Sequence, residues 1–296
     1  MKSINGLLAL FFILLPGLVI ADKPKVVTTT NIVHDLVMQL GGDKIETEAL
    51  MGAGIDPHYY KATFSDMRKL AHADLVFYSG LELEGRMQSV LENLSSLKPV
   101  VPLSSFINPS LLIYEQKTPD PHFWFNLRLW VIAAEGVAQT LATHWPEHQD
   151  YFFQQLNDYK QELDNTHQWV TEQIASIPRA QRILITAHDA FSYYGSAYDI
   201  DVMGLQGINT TSEFGLSDLR LLKDVIKSRG VKAVFIESSV PKRSIESLMA
   251  GVKAEGGEVK LGGELLSDAL GRKGSETADF IGMIRYNTRT IVKALK

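Results

Sequence analysis

Three histidines and one aspartate in this chain lie in sequence settings that suit the binding of a metal ion. His58 and His122 each end the same tripeptide, Asp-Pro-His, and His188 directly follows an apolar, strand-like run. Asp268 is a candidate carboxylate near the end of the chain. Neutral imidazole is the commonest side-chain ligand for zinc and related ions, and proline fixes the backbone beside the first two histidines. These residues therefore predict a metal site assembled from distant parts of the chain.

Other carboxylates compete with these residues or accompany them. Glu237 ends a strand-like run and is a rival to Asp268, which also suits the beginning of a helix as a capping residue. Asp56, Asp120 and Asp189 adjoin or lie two residues from the histidines and could orient the imidazoles or the neighbouring backbone. Turn formation explains the first two equally well. The other histidines lie in or beside helical segments and are expected to be ordinary surface or core residues: His34, His72, His144, His148 and His167.

The first 21 residues have the pattern of a secretory signal peptide. Lys2 precedes an apolar run over residues 7–20, and small residues stand before a cleavage point after Ala21. That run is shorter than the ~20 apolar residues of a membrane-spanning helix. Because the chain contains no cysteine, it offers no site for a lipid anchor and no disulfide. We expect a periplasmic protein, secreted through a cleavable signal peptide, that is not a lipoprotein.

The composition of the chain limits the classes of molecule that it could bind. The formal net charge is -5, and no cluster of lysine and arginine is long enough to follow a phosphate backbone, which argues against nucleic acid. No second long apolar segment follows the signal peptide, so we expect no membrane insertion of the mature chain. Small solutes or proteins are the expected partners.

Strand-like and helical runs alternate along the chain, which is typical of parallel sheets covered by helices. The predicted strands are residues 25–30, 45–50, 74–78, 182–186, 231–236 and 258–261, and the predicted helices are residues 32–40, 65–71, 83–94, 127–143, 217–228 and 245–254. Between the two groups, apolar residues spaced by three, four or seven predict one long helix over residues 146–178.

This order predicts four segments: a signal peptide (1–21), an N-terminal α/β lobe (22–145), a connecting helix (146–178) and a C-terminal α/β lobe (179–296). A plain core helix within one larger domain is the alternative for the connecting segment. Ligand sites in open α/β sheets form at the carboxyl ends of strands. The four metal-ligand candidates can therefore meet between the lobes, with two from each.

The chain resembles the TroA-like zinc- and manganese-binding solute receptors of ABC importers over essentially the whole mature sequence. The matching stretches occur in the family's order and are residues 54–60, 73–76, 120–124, 186–191, 235–239 and 262–271. The resemblance implies two α/β lobes joined by a single rigid helix, with the metal at their interface. It also implies His58, His122, His188 and Asp268 as the direct ligands, and delivery of the ion to the membrane permease of an ABC importer.

The identity of the ion stays open between zinc and manganese, with Fe²⁺ also possible. Three imidazoles and one carboxylate suit tetrahedral zinc, whereas manganese prefers more oxygen and would use both oxygens of Asp268. Family members dedicated to manganese often carry glutamate where His188 stands. Many zinc receptors of Gram-negative bacteria have a histidine-rich loop before the second ligand, but residues 113–119 contain no histidine.

Three other functions compete with metal transport. A secreted zinc hydrolase would keep an open coordination position and a general base, and the chain contains neither a His-Glu-x-x-His helix nor a Gly-x-Ser-x-Gly turn. A surface adhesin is disfavoured by the expected lack of a lipid anchor. An organic-solute receptor would bind its ligand even in the presence of a metal chelator. We predict a monomeric binding protein without enzymatic activity.

Overall fold

The structure is a computed structural model that describes residues 22–212 and 214–296. The predicted signal peptide, residues 1–21, lies outside the described residues. Two α/β lobes, each built on parallel strands, lie on either side of one long helix. Within the described residues, no helix is both long enough and apolar enough to cross a bilayer.

The N-terminal lobe is built on a parallel four-stranded sheet in the order β2-β1-β3-β4. Val27 in the middle of this sheet pairs with Glu48 on one side and with Val76 on the other. The strands are β1 (Lys25–Thr28), β2 (Glu46–Ala49), β3 (Leu75–Tyr78) and β4 (Val100–Pro102), and a short antiparallel hairpin adds β5 (Tyr114–Glu115) and β6 (Thr118–Pro119). The helices are α1 (Asn31–Gly41), α2 (Phe64–His72), α3 (Gln88–Ser95) and α4 (Leu127–His144).

Helix α5 (Gln149–Ala175) connects the lobes and, with 27 residues, is about 40 Å long. The segment begins with a 3₁₀ turn at Pro146–His148 and ends before Pro178, so the α-helix is slightly shorter than predicted. One side of α5 is buried by residues that recur every three or four positions, from Phe152 to Ile174. This spacing places them on a single face that packs into the core.

The C-terminal lobe contains two parallel strand pairs, β7 with β8 and β9 with β10, and β7 lies beside β9. The strands are β7 (Ile183–His188), β8 (Asp201–Gln206), β9 (Ala233–Glu237) and β10 (Lys260–Leu265). The helices are α6 (Ser192–Tyr198), α7 (Leu216–Arg229), α8 (Arg243–Ala254) and α9 (Phe280–Leu295). Among these elements, β8, α6 and α9 were not predicted from the sequence.

The largest apolar core runs without interruption through both lobes and α5. Trp130 of α4 stacks on Phe280 of α9 with ring centroids 4.9 Å apart, and Phe125 stacks on Phe191 at 4.5 Å. The indole Nε1 of Trp130 also donates a hydrogen bond to the hydroxyl of Tyr159 on α5 at 3.2 Å. Aromatic rings from both lobes therefore form part of one packed interior.

Candidate metal centre

The four candidate ligands lie in or next to loops that face each other between the lobes. His58 lies in the loop between β2 and α2, and His122 lies between β6 and α4. His188 is the last residue of β7, and Asp268 lies in the loop between β10 and α9. All four are buried, with exposed fractions of 2%, 0%, 0% and 1% respectively. The structure places two of these residues in each lobe, as the sequence analysis predicted.

The distances between the candidate ligand atoms suit a single small cation. One donor atom from each of the four residues lies within 4.8 Å of the others. The Nε2 atom of His122 is 3.4 Å from Oδ1 of Asp268, and Nε2 of His188 is 3.4 Å from Oδ2 of the same residue. A tetrahedral zinc ion with bonds of ~2.0–2.1 Å holds its ligand atoms about 3.4 Å apart. The centre is therefore close to the size that zinc requires.

Several buried polar atoms of the candidate ligands have no hydrogen-bond partner among the described residues. They include both ring nitrogens of His58, Nε2 of His122, Nε2 of His188 and Oδ1 of Asp268. Buried polar atoms are almost always partnered, because burial without a partner costs free energy. A metal ion bound by one nitrogen from each histidine and by this oxygen would compensate for most of that cost.

Two of the histidines are held from behind by carboxylates. Oδ1 of Asp120 lies 2.7 Å from Nδ1 of His122 and also accepts a hydrogen bond from the backbone N–H of His122 at 2.9 Å. Glu237 contacts His188 in a similar way: Oε2 lies 2.6 Å from Nδ1, and Oε1 accepts from the backbone N–H of His188 at 2.9 Å. A carboxylate on one ring nitrogen orients the other nitrogen toward a metal. Glu237 thus contacts the ring nitrogen of His188 opposite the one that faces Asp268.

The remaining aspartates beside the histidines have different contacts. Oδ1 of Asp56 accepts from the backbone N–H of His58 at 2.8 Å, so this residue orients the backbone and not the ring. Asp189 accepts from the hydroxyl of Ser192 at 2.8 Å, at the beginning of α6. Of the three aspartates considered from the sequence, only Asp120 hydrogen-bonds an imidazole in this centre.

Without a bound ion, the four candidate ligands strongly affect one another's pKa. Burial favours neutral His122, but the nearby carboxylates of Asp120 and Asp268 outweigh it and raise the pKa of His122 to about 9. The same opposition raises the pKa of His188 well above its usual value, through Glu237 and Asp268. Burial lowers the pKa of His58 to about 3. Burial alone would raise the pKa of Asp268, but His188 and His122 hold it well below its usual value.

Three further residues that the sequence did not single out fix the loops around the centre. The hydroxyl of Ser239 donates to Oδ2 of Asp268 at 3.1 Å, and the hydroxyl of Thr210 donates to Oδ2 of Asp56 at 2.7 Å. The indole of Trp124 donates to the carbonyl of Ser267 at 3.2 Å. Ser239 and Trp124 both lie inside stretches that carry the family resemblance, which was the available signal. Thr210 lies in a polar loop with no such signal.

The other histidines lie outside the cluster. His34 contacts the hydroxyl of Thr47 at 3.0 Å, and His167 contacts the hydroxyl of Tyr198 at 3.1 Å. His72 and His144 each contact a backbone carbonyl one helical turn earlier. None of these residues belongs to the group that could hold a metal ion in the described part of the chain.

Known proteins resemble this chain over nearly its full length. The manganese-binding lipoprotein MntA of Bacillus subtilis (strain 168) is 42% identical over 279 residues, which cover 93% of this chain and 91% of that protein. The solved structure of the periplasmic zinc-binding protein TroA of Treponema pallidum superposes with a TM-score of 0.90 at 39% identity, covering 92% of this chain and 99% of that one. The predicted resemblance to TroA-like receptors and the predicted α/β fold with a long connecting helix are confirmed.

The same comparisons contradict the predicted localisation. We expected a secreted periplasmic protein that is not a lipoprotein, because the chain has no cysteine. MntA is named a lipoprotein, and so is the manganese ABC transporter substrate-binding lipoprotein PsaA of Streptococcus pneumoniae, which is 27% identical over 313 residues. PsaA covers 100% of this chain, and the match covers 99% of PsaA. The lack of cysteine in one sequence does not decide how proteins of this kind are attached to a membrane. The prediction is wrong.

The sequence profile of the zinc-uptake complex component A, periplasmic (ZnuA), matches residues 26–294, which is nearly the whole described chain. That match includes both lobes, the connecting helix and all four candidate ligands. It agrees with the identities of 42% and 39% to MntA and TroA. This chain belongs to the ZnuA family.

Proposed function

We propose that this protein binds one divalent transition metal ion, zinc or manganese, and delivers it to the membrane permease of an ABC importer. The observation that carries the proposal is the buried group of His58, His122, His188 and Asp268, in which one nitrogen of each histidine and Oδ1 of Asp268 have no hydrogen-bond partner in the described chain. The relatives support it, because one is named for manganese binding and another for zinc binding.

The donor set favours zinc slightly and also suits manganese. Four donors are enough to complete a tetrahedral zinc site. The two oxygens of Asp268 face different histidines, each at 3.4 Å from an Nε2 atom, so the carboxylate is placed to bind through one oxygen or both. Binding through both adds the oxygen that manganese and Fe²⁺ prefer. The affinity order of divalent ions favours zinc over manganese in most such sites, so tight zinc binding alone would not identify the transported ion.

The ligand set supports transport and not catalysis. A catalytic zinc site has three protein ligands and leaves a position for water or substrate. Here four buried side chains converge, and the ZnuA family consists of substrate-binding transport proteins. One chain supplies all four donors, which supports a monomer as the working form. We further propose domain boundaries at residues 145/146 and 178/179, next to the 3₁₀ turns Pro146–His148 and Arg179–Gln181.

Metal titration of the chelator-stripped protein tests the function. We expect uptake of close to one equivalent of zinc or manganese, and a loss of affinity of more than about a hundredfold in His122→Ala, since even residues behind a ligand contribute ~10–100-fold. The matched control is His144→Ala, which removes an exposed histidine near the end of α4. Circular dichroism checks that both variants are folded. No uptake by the wild type would contradict the function, and normal binding by a folded His122→Ala would remove His122 from the ligand set.

A further inference from the structure

The hydrogen bond between Thr210 and Asp56 joins the two lobes beside the metal centre. Thr210 lies between β8 and α7 in the C-terminal lobe, and its hydroxyl donates to Oδ2 of Asp56 at 2.7 Å. Asp56 belongs to the loop of the N-terminal lobe that carries His58. Thr210 is buried, with 4% of its surface exposed. This hydrogen bond is partly buried, and a hydrogen bond to a carboxylate is among the stronger ones in proteins.

His58 depends on this loop more than the other two histidines depend on theirs. Asp120 and Glu237 hold the rings of His122 and His188 from behind. Neither ring nitrogen of His58 has a hydrogen-bond partner among the described residues. Its position is set through its backbone, whose N–H donates to Oδ1 of Asp56 at 2.8 Å. The carboxylate of Asp56 therefore accepts a hydrogen bond from the His58 backbone through one oxygen and from Thr210 of the opposite lobe through the other.

Other polar contacts between the lobes do not involve this loop. Asn31 of α1 exchanges hydrogen bonds with the backbone of Leu270 at 3.2 and 2.9 Å, and Trp124 donates to Ser267. These contacts hold α1 and the His122 segment against the Asp268 loop. They would remain in place if the contact of Thr210 with the His58 loop were lost.

A cavity next to this contact gives the loop space in which to move. It has a volume of about 510 Å³ and lies between the His58 loop and the C-terminal lobe. Its lining includes Asp56 and Tyr59 on one side and Thr210, Ser239 and Val240 on the other. Because the metal centre is itself buried, an ion can leave only if a neighbouring segment moves. The His58 loop borders open space, and its ligand ring lacks a carboxylate behind it.

We propose that the Thr210–Asp56 hydrogen bond is the latch that keeps His58 in the metal centre, so that Thr210 controls how long the ion stays bound. This inference rests on the proposed function in metal capture. Thr210 touches no ligand ring and acts through Asp56 as a positioning residue. When the latch opens, the ion loses the His58 donor while His122, His188 and Asp268 keep their supports. The latch should therefore govern dissociation much more than association.

Stopped-flow transfer of zinc from the loaded protein to a chromophoric chelator measures the dissociation rate directly. Thr210→Val keeps the shape of the side chain and removes its hydroxyl, and we expect dissociation to become about tenfold faster. Thr210→Ser keeps the hydroxyl and should restore a rate near that of the wild type. The matched control is Thr211→Val, which removes the neighbouring hydroxyl, bonded at 2.7 Å to Asn209 within the same loop. The association rate should be similar in all four proteins.

The outcomes separate the latch from the proposed function. A wild type that takes up no zinc would contradict the function itself. Zinc uptake with equal dissociation from wild type and Thr210→Val would overturn the latch alone, as would equal acceleration in Thr210→Val and Thr211→Val. A slower association in place of a faster dissociation would also overturn it. If Thr210→Val does not fold, Thr210→Ala replaces it with the same expected result.

Discussion

The three histidines of the metal centre differ in what holds the ring nitrogen that faces away from the ion. Asp120 and Glu237 supply negative charge behind His122 and His188, whereas His58 has no such partner among the described residues. This difference divides the centre into two basic imidazoles and one weakly basic imidazole, with pKa values of about 9 for His122 and about 3 for His58. Without a bound ion, the raised pKa values favour protonated His122 and His188 beside the buried carboxylates.

The first prediction concerns the pH dependence of metal affinity. Because the pKa of His122 is raised to about 9, an ion that binds at neutral pH must displace its proton, and binding weakens as pH falls below about 9. We expect roughly a tenfold loss of affinity per pH unit for each proton displaced. Titrations in buffers of different ionisation enthalpy would count the protons. An affinity that is flat across this range would contradict protonation of His122 in the metal-free protein.

His58→Ala is the matched control for that experiment. Since the pKa of His58 is lowered to about 3, the residue carries no proton to displace at neutral pH. Its loss should weaken binding without changing the slope of affinity against pH. A histidine with the ordinary pKa of about 6.5 would instead place the onset of weakening near that pH. The carboxylates behind the rings shift it upward, and their contacts are visible only in the folded chain.

At the scale of elements, helices α1 and α9 meet through a buried carboxyl group. Oδ2 of Asp35 in α1 accepts a hydrogen bond from the backbone N–H of Phe280, in the first turn of α9, at 3.1 Å. Burial raises the pKa of Asp35 from 3.8 to about 6, and neighbouring Asp279 adds to the rise. Joining the two lobes at this point therefore costs free energy whenever Asp35 is ionised.

The second prediction is that Asp35→Asn stabilises the protein at neutral and higher pH. The folded state binds the Asp35 proton more tightly than the unfolded state, so this group favours folding below 3.8 and loses that contribution as pH rises through about 6. We expect the variant to gain roughly 1–3 kcal/mol of unfolding free energy above pH 6, with the gain disappearing toward pH 4. Denaturant titrations with chelator present measure it. Asp22→Asn, at an exposed position, should show no such gain.

The sequence predicted the elements whose pattern is local. Strands β3 and β9 are nearly continuous buried apolar runs, and the buried face of α5 repeats every three or four residues. Strand β8 escaped prediction because most of its residues are only half-buried and a glycine interrupts it. At the candidate site, the repeated Asp-Pro-His motif predicted two of the four candidate ligands. Thr210 could not be found in this way, because its role depends on Asp56, 154 residues away in the sequence.

At the scale of the whole molecule, the lobes share the largest apolar core, and each lobe also has a smaller apolar cluster of its own. The stacked pairs Trp130–Phe280 and Phe125–Phe191 join aromatic residues from different lobes, and α5 packs against α4 and α9. Proteins that close around a ligand by a hinge usually have lobes with separate cores and few contacts between them. The continuous core favours small movements of loops over wide separation of the lobes.

The third prediction is a single cooperative unfolding transition for the metal-free protein. Because the core is shared, neither lobe should melt before the other, and the calorimetric and van't Hoff enthalpies should agree. Trp130→Ala should lower the unfolding free energy by about 3–5 kcal/mol without splitting the transition. Trp169→Ala, at a half-buried position, should cost less. Two resolved transitions in the wild type would show that the lobes are energetically independent.

Adding zinc or manganese at about a thousand times its Kd should stabilise the protein by ~4 kcal/mol.

The position of α9 in the shared core also affects the order in which the newly made chain can become compact. Phe280, Met283, Ile284 and Ile291 are fully buried, and they belong to the last helix of the described residues. Until they arrive, Trp130 lacks the ring that covers it, although the N-terminal sheet is already complete in sequence. The chain that precedes Phe280 therefore cannot cover this apolar surface by itself. A truncation before Phe280 would leave that surface open permanently.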